Sequence, residues 1–575
     1  MYKIYSLFGL SLLILFEAFS PFRIEKNFIF QIQTEELVIV TVLSWIGITS
    51  LIFQKRKLCI FSMIDVLFFA YIAYLLLQLL FYPVDTYCIL TIAGLVAAYF
   101  LFRHIPMRFI TILLFLLPIM VVVQIIYGYN SFEYPWQTLS DNMGTFNNTG
   151  IFGGFVAMGF VSAFGLLFLF KQPAVRIVLG ILLIPITIQL IYSHSRAAWI
   201  AAIVGTLILL IPVFRKLTKW KVGILIPALL FAGVLFSIKL YHFKKDSADG
   251  RLLIWTVSWK MIKEKPLTGF GTGGFQKNYL LRQGDYFKNH PDSPYTDLAD
   301  DISYPFNEFL KTGIEQGFIG LLLMIGILLL AFSNTASPLA LRAILAALIG
   351  FSCFSYPFDI VAFQVLGVFC LAGIARQSVV FTAWRNPLKN GTVKIIVIYL
   401  MIVLCVFVSF ISINYFVNVR KWNQIFRSYQ MGNNQQITEF QSLYPAFRYN
   451  DMFVYVYGKA LFDSGRYFEA VPLLKAAKEM FPLTQVLLLL GDAYEKTGDY
   501  FKALEEWETV SYIKPSLFTP HYKMAKLFFK LQNYEQAQQQ AREVLSKKIK
   551  IDNPEIDQMK REARKMLSEP RLSEP

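Results

Sequence analysis

Long uncharged runs, interrupted by short polar clusters, fill the first three quarters of the chain. Thirteen such runs are long enough to cross a bilayer as helices: about 5–19, 36–53, 58–81, 86–102, 107–127, 149–170, 174–193, 196–213, 221–240, 316–332, 339–356, 358–375 and 393–416. From residue 417 the pattern changes to amphipathic helices with a period near 33. Gly458 recurs as Gly491, Gly465 as Gly498, Tyr467 as Tyr500 and Tyr534, Ala470 as Ala503 and Ala537, and Pro482 as Pro515. The predicted fold class is all-α: a polytopic transmembrane bundle followed by a helical-repeat domain.

The predicted organisation is a membrane domain over 1–416 with a large loop at 241–315, a helical connection over 417–450, repeats over 451–550 and a charged tail over 551–575. The spacing of the repeats resembles tetratricopeptide repeats, which stack into a solenoid with a concave surface suited to a protein partner. The last residues, "LSEPRLSEP", read as a disordered end.

Composition agrees with this pattern. Hydrophobic residues make up 56% of the 575 and mean hydropathy is positive, which points away from an ordinary soluble enzyme. Glu17 and the lack of a small-x-small site mark the first run as a retained span, not a cleaved signal. The five cysteines form no CxxC or Cys/His cluster and the five histidines show no metal-ligand spacing, so neither a disulfide framework nor a zinc site is indicated.

The net charge of +16 is unevenly distributed. Alternate loops carry "QKRK" (54–57), "RHIPMR" (103–108), "KQPAVR" (171–176), "RKLTKWK" (215–221) and "RQSVVFTAWRNPLK" (376–389). The intervening loops contain "YPVDT" (82–86), the 129–148 segment, "SHSR" (193–196) and "YPFD" (356–359). By the positive-inside rule the N-terminus is cytoplasmic, and the odd span count puts the large loop and the C-terminus outside. The positive charge therefore belongs to cytoplasmic loops and implies no nucleic-acid partner.

Four outer-face segments carry candidate chemistry. In "GTFNNTG" (144–150), Asn147 and Asn148 are either ligand contacts or a turn and N-cap for the next helix. In "YSHSRAAWIA" (192–201), Arg196 interrupts the charge bias beside Ser193, His194 and Ser195. A cation at a helix N-terminus calls for a nearby anion.

The third segment is 249–275, where Arg251, Trp255, Ser258 and Ile262 share one face of a surface helix ended by Pro266. Its "GFGTGGF" suits a turn or a weak phosphate nest. The fourth, "ADDISYPFNEFLKTGIEQGFIG" (299–320), predicts a helix that runs straight into a span. Glu308, Lys311 and Glu315 lie on one face, with Glu308–Lys311 as a candidate salt bridge. Cations and carboxylates at one membrane boundary suit a substrate with a lipid tail and an anionic head.

With "SRAAW" opening a span, "GRLLIW…KPLTGFGTGGF" after it and "FNEFLKTGIEQGFIG" closing the loop, residues 30–375 resemble the bacterial O-antigen ligase superfamily. This superfamily includes O-antigen polymerases and protein O-oligosaccharyltransferases. The resemblance implies a bacterial inner-membrane enzyme that transfers a glycan from undecaprenyl diphosphate to a periplasmic acceptor, either lipid-linked or protein, with no cofactor. It assigns Arg196 and Arg251 to the diphosphate, and guanidinium forks suit that role. Asn147, Asn148, Trp255 and Lys311 become glycan or acceptor contacts.

The chain departs from the family where many ligases have a His-Asn pair, because it has Phe306-Asn307 there. Glu308, beside Asn307, is the substitute base, and His194, His290, Asp300 and Asp301 are alternatives. Chain extension of the polymerase type is a second reading within the class. A transporter or flippase, with Asp65 as the one acid well inside a span, and a non-catalytic assembly platform are the readings outside it.

Overall fold

The structure, a computed structural model, describes residues 2–19, 31–53, 62–131, 137–146, 148–218, 220, 242, 245–378, 391–432, 437–549 and 553–568. Every regular element among these residues is helical. Helices stand at twelve of the thirteen predicted spans, and the run at 221–240 lies outside the described residues. Six described helical stretches, with Met107–Asn130 taken as one, are long and apolar enough to cross a membrane. The chain divides into two compact units.

The first unit draws on Met1–Tyr82, Thr86–Phe243 and Phe306–Asn423. Its centre is helix Thr149–Leu169, flanked by Arg196–Phe214 and Leu339–Ser352. Small residues allow this closeness. A Cβ on Gly154 would lie 2.3 Å from the Phe351 ring, and one on Gly205 would lie 3.0 Å from the Ala343 carbonyl. Gly350 lies against Ala201 and Val204, so Leu339–Ser352 runs antiparallel to Arg196–Phe214. Phe146, Phe155, Phe351 and Phe363 fill the space beside the glycines.

Three sequence expectations change here. The 107–127 run is two helices, Met107–Leu113 and Leu116–Asn130. Pro118 has no N–H to offer the Leu114 carbonyl four residues back, and the Ser162 hydroxyl donates to that carbonyl instead, at 3.0 Å. The opening helix of the 308–332 stretch does not run straight into the span. It ends at Glu315, and a second helix starts at Gly317, whose φ of 65° only glycine adopts without strain.

Asp65 is the third change. It belongs to the first turn of Met63–Leu79 and forms a capping box with Ser62, so it is not well inside a span. Arg103 donates to both of its oxygens at 3.1 Å, and the Tyr99 hydroxyl adds a bond of 2.5 Å. A carboxylate held this firmly is a structural anchor and gives no support to a transporter.

The second unit draws on Pro83–Asp85, Lys244–Pro305 and Gln424–Pro575. Three helix pairs follow one another in it: Asp451–Asp463 with Tyr467–Met480, Thr484–Thr497 with Tyr500–Ile513, and Thr519–Lys530 with Tyr534–Ser546. The recurring glycines mark where paired helices touch. A Cβ on Gly458 would lie 3.0 Å from Leu474, and one on Gly491 would lie 2.3 Å from the Trp507 indole nitrogen. Within the segment read as a charged tail, Pro554–Ser568 is a helix, and Ala563 packs against Phe518, Ala541 and Val544. The terminal "LSEPRLSEP" lies outside the described residues from 569 onward.

Replacing Gly491 with Val drives two methyl groups into a buried indole that is already hydrogen-bonded to Leu488. Thermal unfolding of the detergent-solubilised chain should show the second unit destabilised by about 2 kcal/mol. An unchanged transition would contradict the close contact.

Candidate functional site

The turn at 193–196 is built by its own polar groups. The Ser193 hydroxyl donates to the Leu190 carbonyl at 2.8 Å, and His194 takes a left-handed conformation with φ of 48°. Ser195 then caps the next helix by accepting from the Ala198 N–H. Arg196 is therefore the first helical residue, half-buried, where the helix dipole disfavours a cation and favours an anion beside it. Trp199 is fixed one turn along by donating its indole N–H to the Leu190 carbonyl at 2.8 Å.

The structure brings the 148–150 segment to this turn. Ser195 donates to the Gly150 carbonyl at 3.3 Å, and a Cβ on Gly153 would lie 2.9 Å from Ser193. Asn148 is the N-cap of Thr149–Leu169, accepting from Ile151 N–H at 3.0 Å, so its side-chain oxygen serves the backbone. Asn147 lies outside the described residues.

The 306–316 segment reaches the same end of the unit. Gly350 and Phe351, near the end of Leu339–Ser352, lie beside Ala201 and Gly154 in the first turns of their helices, so the 353–360 turn caps that end. Phe306 takes φ of 52° and packs edge-on against Tyr356 of the turn. Asn307 is an N-cap, accepting from Phe309 and Leu310 N–H at 2.9 and 3.1 Å. Asn307 therefore organises the helix.

Glu308 is 4% exposed and accepts from the Phe358 N–H through Oε1 at 2.8 Å. Its Oε2 has no hydrogen-bond partner among the described residues. The solvated salt bridge expected of Glu308 is replaced by a buried carboxyl held by the backbone. Lys311 instead forms an ion pair with Asp359 Oδ1, while Asp359 Oδ2 is buried without a partner. Removal from water pushes the Glu308 carboxyl up to about 8; Lys311 opposes the shift, and Asp359 and Glu315 add to it. Burial would lower the Lys311 ammonium, but the acids around it, Asp359 first, hold it above its usual range.

The sequence reasoning missed Asp359 and the helix Met63–Leu79 as parts of this cluster. Tyr74 donates to the Gln316 carbonyl at 2.8 Å, and Gln78 donates to the Glu315 carbonyl at 3.3 Å. The signal for Asp359 was present as the one acid of the short outer loop "YPFD".

The remaining candidates belong to the second unit. Arg251, half-buried, lies on helix Lys245–Glu264, and Trp255 one turn later donates its indole N–H to Pro305 O at 2.9 Å. The helix ends before Pro266, as its sequence predicts. The glycines of "GFGTGGF" take left-handed conformations at 269, 271 and 273 and turn the chain into helix Gly274–Asn289. His290 is exposed, with Nδ1 at 2.8 Å from the Tyr286 carbonyl. Asp300 pairs with Lys514 and Asp301 binds Thr484, so both aspartates tie the loop to the helix pairs. No group of His, Cys, Asp and Glu among the described residues is arranged to hold a metal ion.

Glu308 gives stability a pH signature. Its folded value, about 8, lies above the 4.5 of an ordinary glutamate, so the folded state binds more protons between those limits. Stability from this group is present below pH 4.5 and is lost as pH rises toward 8. Thermal unfolding of the wild type at pH 5, 6.5 and 8.5 should show this decline, and Glu308→Gln should flatten it. Equal slopes in the two proteins would rule out a buried, neutral Glu308.

Comparison with known families bears on this arrangement. No curated protein matches the chain. Residues 180–325 match the family described as O-antigen ligase, a segment that contains Arg196, Arg251, Asn307, Glu308 and Lys311. The match supports the O-antigen ligase superfamily and, at that level, a ligase-type glycan transfer by a multi-pass membrane protein.

Proposed function

We propose that the protein transfers a glycan from undecaprenyl diphosphate to an acceptor hydroxyl on the periplasmic side of a bacterial inner membrane. The observation that carries this reading is that one end of the first unit holds both a helix-heading guanidinium and a buried carboxyl with one oxygen unbonded. Arg196 binds the donor diphosphate and neutralises charge that grows on it as the anomeric C–O bond breaks. The acceptor hydroxyl attacks the anomeric carbon from the opposite side, and its proton passes to Glu308. With a value of about 8 Glu308 is mostly neutral at pH 7, so its ionised fraction is the form that takes the proton; that fraction is a stronger base than an exposed glutamate and grows as pH rises toward 8. Asp359 and Lys311 keep the neighbourhood charged and ordered around it.

Arg251 is assigned diphosphate binding from its place in the matched segment alone. The proposed orientation has its own support. The positive-inside pattern puts the 82–86 loop, the 241–315 loop and the C-terminal region on one face, and parts of all three pack into the second unit. The three helix pairs serve as a tetratricopeptide-like domain on that face. The acceptor is a lipid-linked core, a protein hydroxyl or a growing glycan.

Transfer should be measured in a host supplied with undecaprenyl-linked oligosaccharide, with products sorted into lipid-bound, protein-bound and polymerised glycan. At equal expression, Arg196→Ala and Arg251→Ala should each lower the rate about 10²–10³-fold, and Glu308→Gln about 10²–10⁴-fold. Undiminished transfer by all three variants would overturn the site. A wild type inactive with a matched donor and acceptor would overturn the function.

A further inference from the structure

Helix Thr484–Thr497 lacks a side-chain cap of its own, because Leu483 precedes it. The acceptor comes instead from the loop. Asp301 Oδ1 takes the Thr484 N–H at 3.0 Å, and Oδ2 takes the Thr484 hydroxyl at 2.5 Å. A charged acceptor on a helix's first N–H is among the stronger capping bonds.

A second tie joins the loop to the end of helix Tyr500–Ile513. Gln283 is 0% exposed, and its Nε2 donates to the Ile513 carbonyl at 2.8 Å and the Asp300 carbonyl at 3.1 Å. Its Oε1 accepts from Tyr279 at 2.9 Å, so the whole amide is engaged. Gly284 allows the approach, since a Cβ there would lie 3.3 Å from Ile513.

Each tie continues to the helix that carries Arg251. Arg282, next to Gln283, donates from Nε and Nη2 to Glu264 at 2.9–3.2 Å, gripping the last residue of Lys245–Glu264. Pro305, four residues after Asp301, accepts from Trp255 in the middle of that helix. The helix is thus held at two points, and each hold leads to the helix pairs through one buried or capping side chain.

We infer that Asp301 and Gln283 are positioning residues through which the C-terminal helix pairs fix the helix bearing Arg251. The repeat region then acts as a splint for the donor-binding helix, not as a separate arm for a partner. The inference rests on the diphosphate role given to Arg251 above.

The test uses the full chain in nanodiscs and reads hydrogen exchange alongside transfer kinetics. In Asp301→Ala and in Gln283→Leu, amides of 245–264 should exchange about tenfold faster, while those of Arg196–Phe214 stay at the wild-type rate. Asp301→Asn keeps an oxygen for the Thr484 N–H and should remain close to wild type. Both weakened variants should raise the donor KM about tenfold. In an Arg251→Ala background they should add nothing, because the guanidinium they position is already gone. Unchanged exchange over 245–264, or a full further loss in the Arg251→Ala background, would overturn the inference. If the wild type transfers nothing, the donor reading fails while the exchange data still decide whether the ties hold the helix.

Discussion

Helix Thr149–Leu169 can lie close to its neighbours only because Gly153, Gly154 and Gly165 present no side chain at the contacts. Between helices in an apolar medium, association comes largely from van der Waals contact, which small residues maximise. This closeness fixes the heights at which the helices end. It brings the turns at 148–150, 193–196 and 353–360 to one end of the unit, and with them Arg196 and the backbone N–H that holds Glu308. The placement of Arg196 and Glu308 thus depends on packing that contains no charge.

Two clusters of buried charge in that unit differ in how fully they are satisfied. Around Asp65, both oxygens receive Arg103, and Tyr99, the Ser62 hydroxyl and the Ser62 N–H complete the shell. Such a network stabilises a single arrangement and leaves no valence for a ligand. Around Glu308, one oxygen each of Glu308 and Asp359 lacks a protein partner among the described residues. A buried polar atom without a partner, as Asp359 Oδ2 is, is costly, and the free valence sets this cluster apart from the saturated one around Asp65. The sequence does not rank these acids, because saturation depends on neighbours far away in the chain.

What the sequence made legible follows from periodicity. Long apolar runs marked the helices because nearly every residue in them contributes to the signal. The repeat was visible because Gly458 and Gly491, and Ala470 and Ala503, face the same contact in successive pairs. Arg196 and Glu308 could be singled out because each is a charge where local pattern disfavours one. The helix breaks at 114–115 and 316–317, the partnership of Lys311 with Asp359 and the docking of Asp301 on Thr484 were not legible. These depend on a proline's missing donor, a glycine's dihedral angle or a pairing across dozens to hundreds of residues, none of which leaves a periodic trace.

The cap that Asp301 gives to Thr484 spans 183 residues, and the bond from Gln283 to Ile513 spans 230. Contacts of such high order form late, after the entropy of closing a long loop has been overcome. A ribosome completes the 245–305 segment long before it reaches the helices that receive it. Throughout that interval the Asp301 carboxylate lacks Thr484 and the Gln283 amide lacks Ile513, and the helix they later hold has only the bonds made within its own segment, from Arg282 and to Pro305. Completion of the chain's last third is therefore also the moment at which the last of these ties on its middle can form.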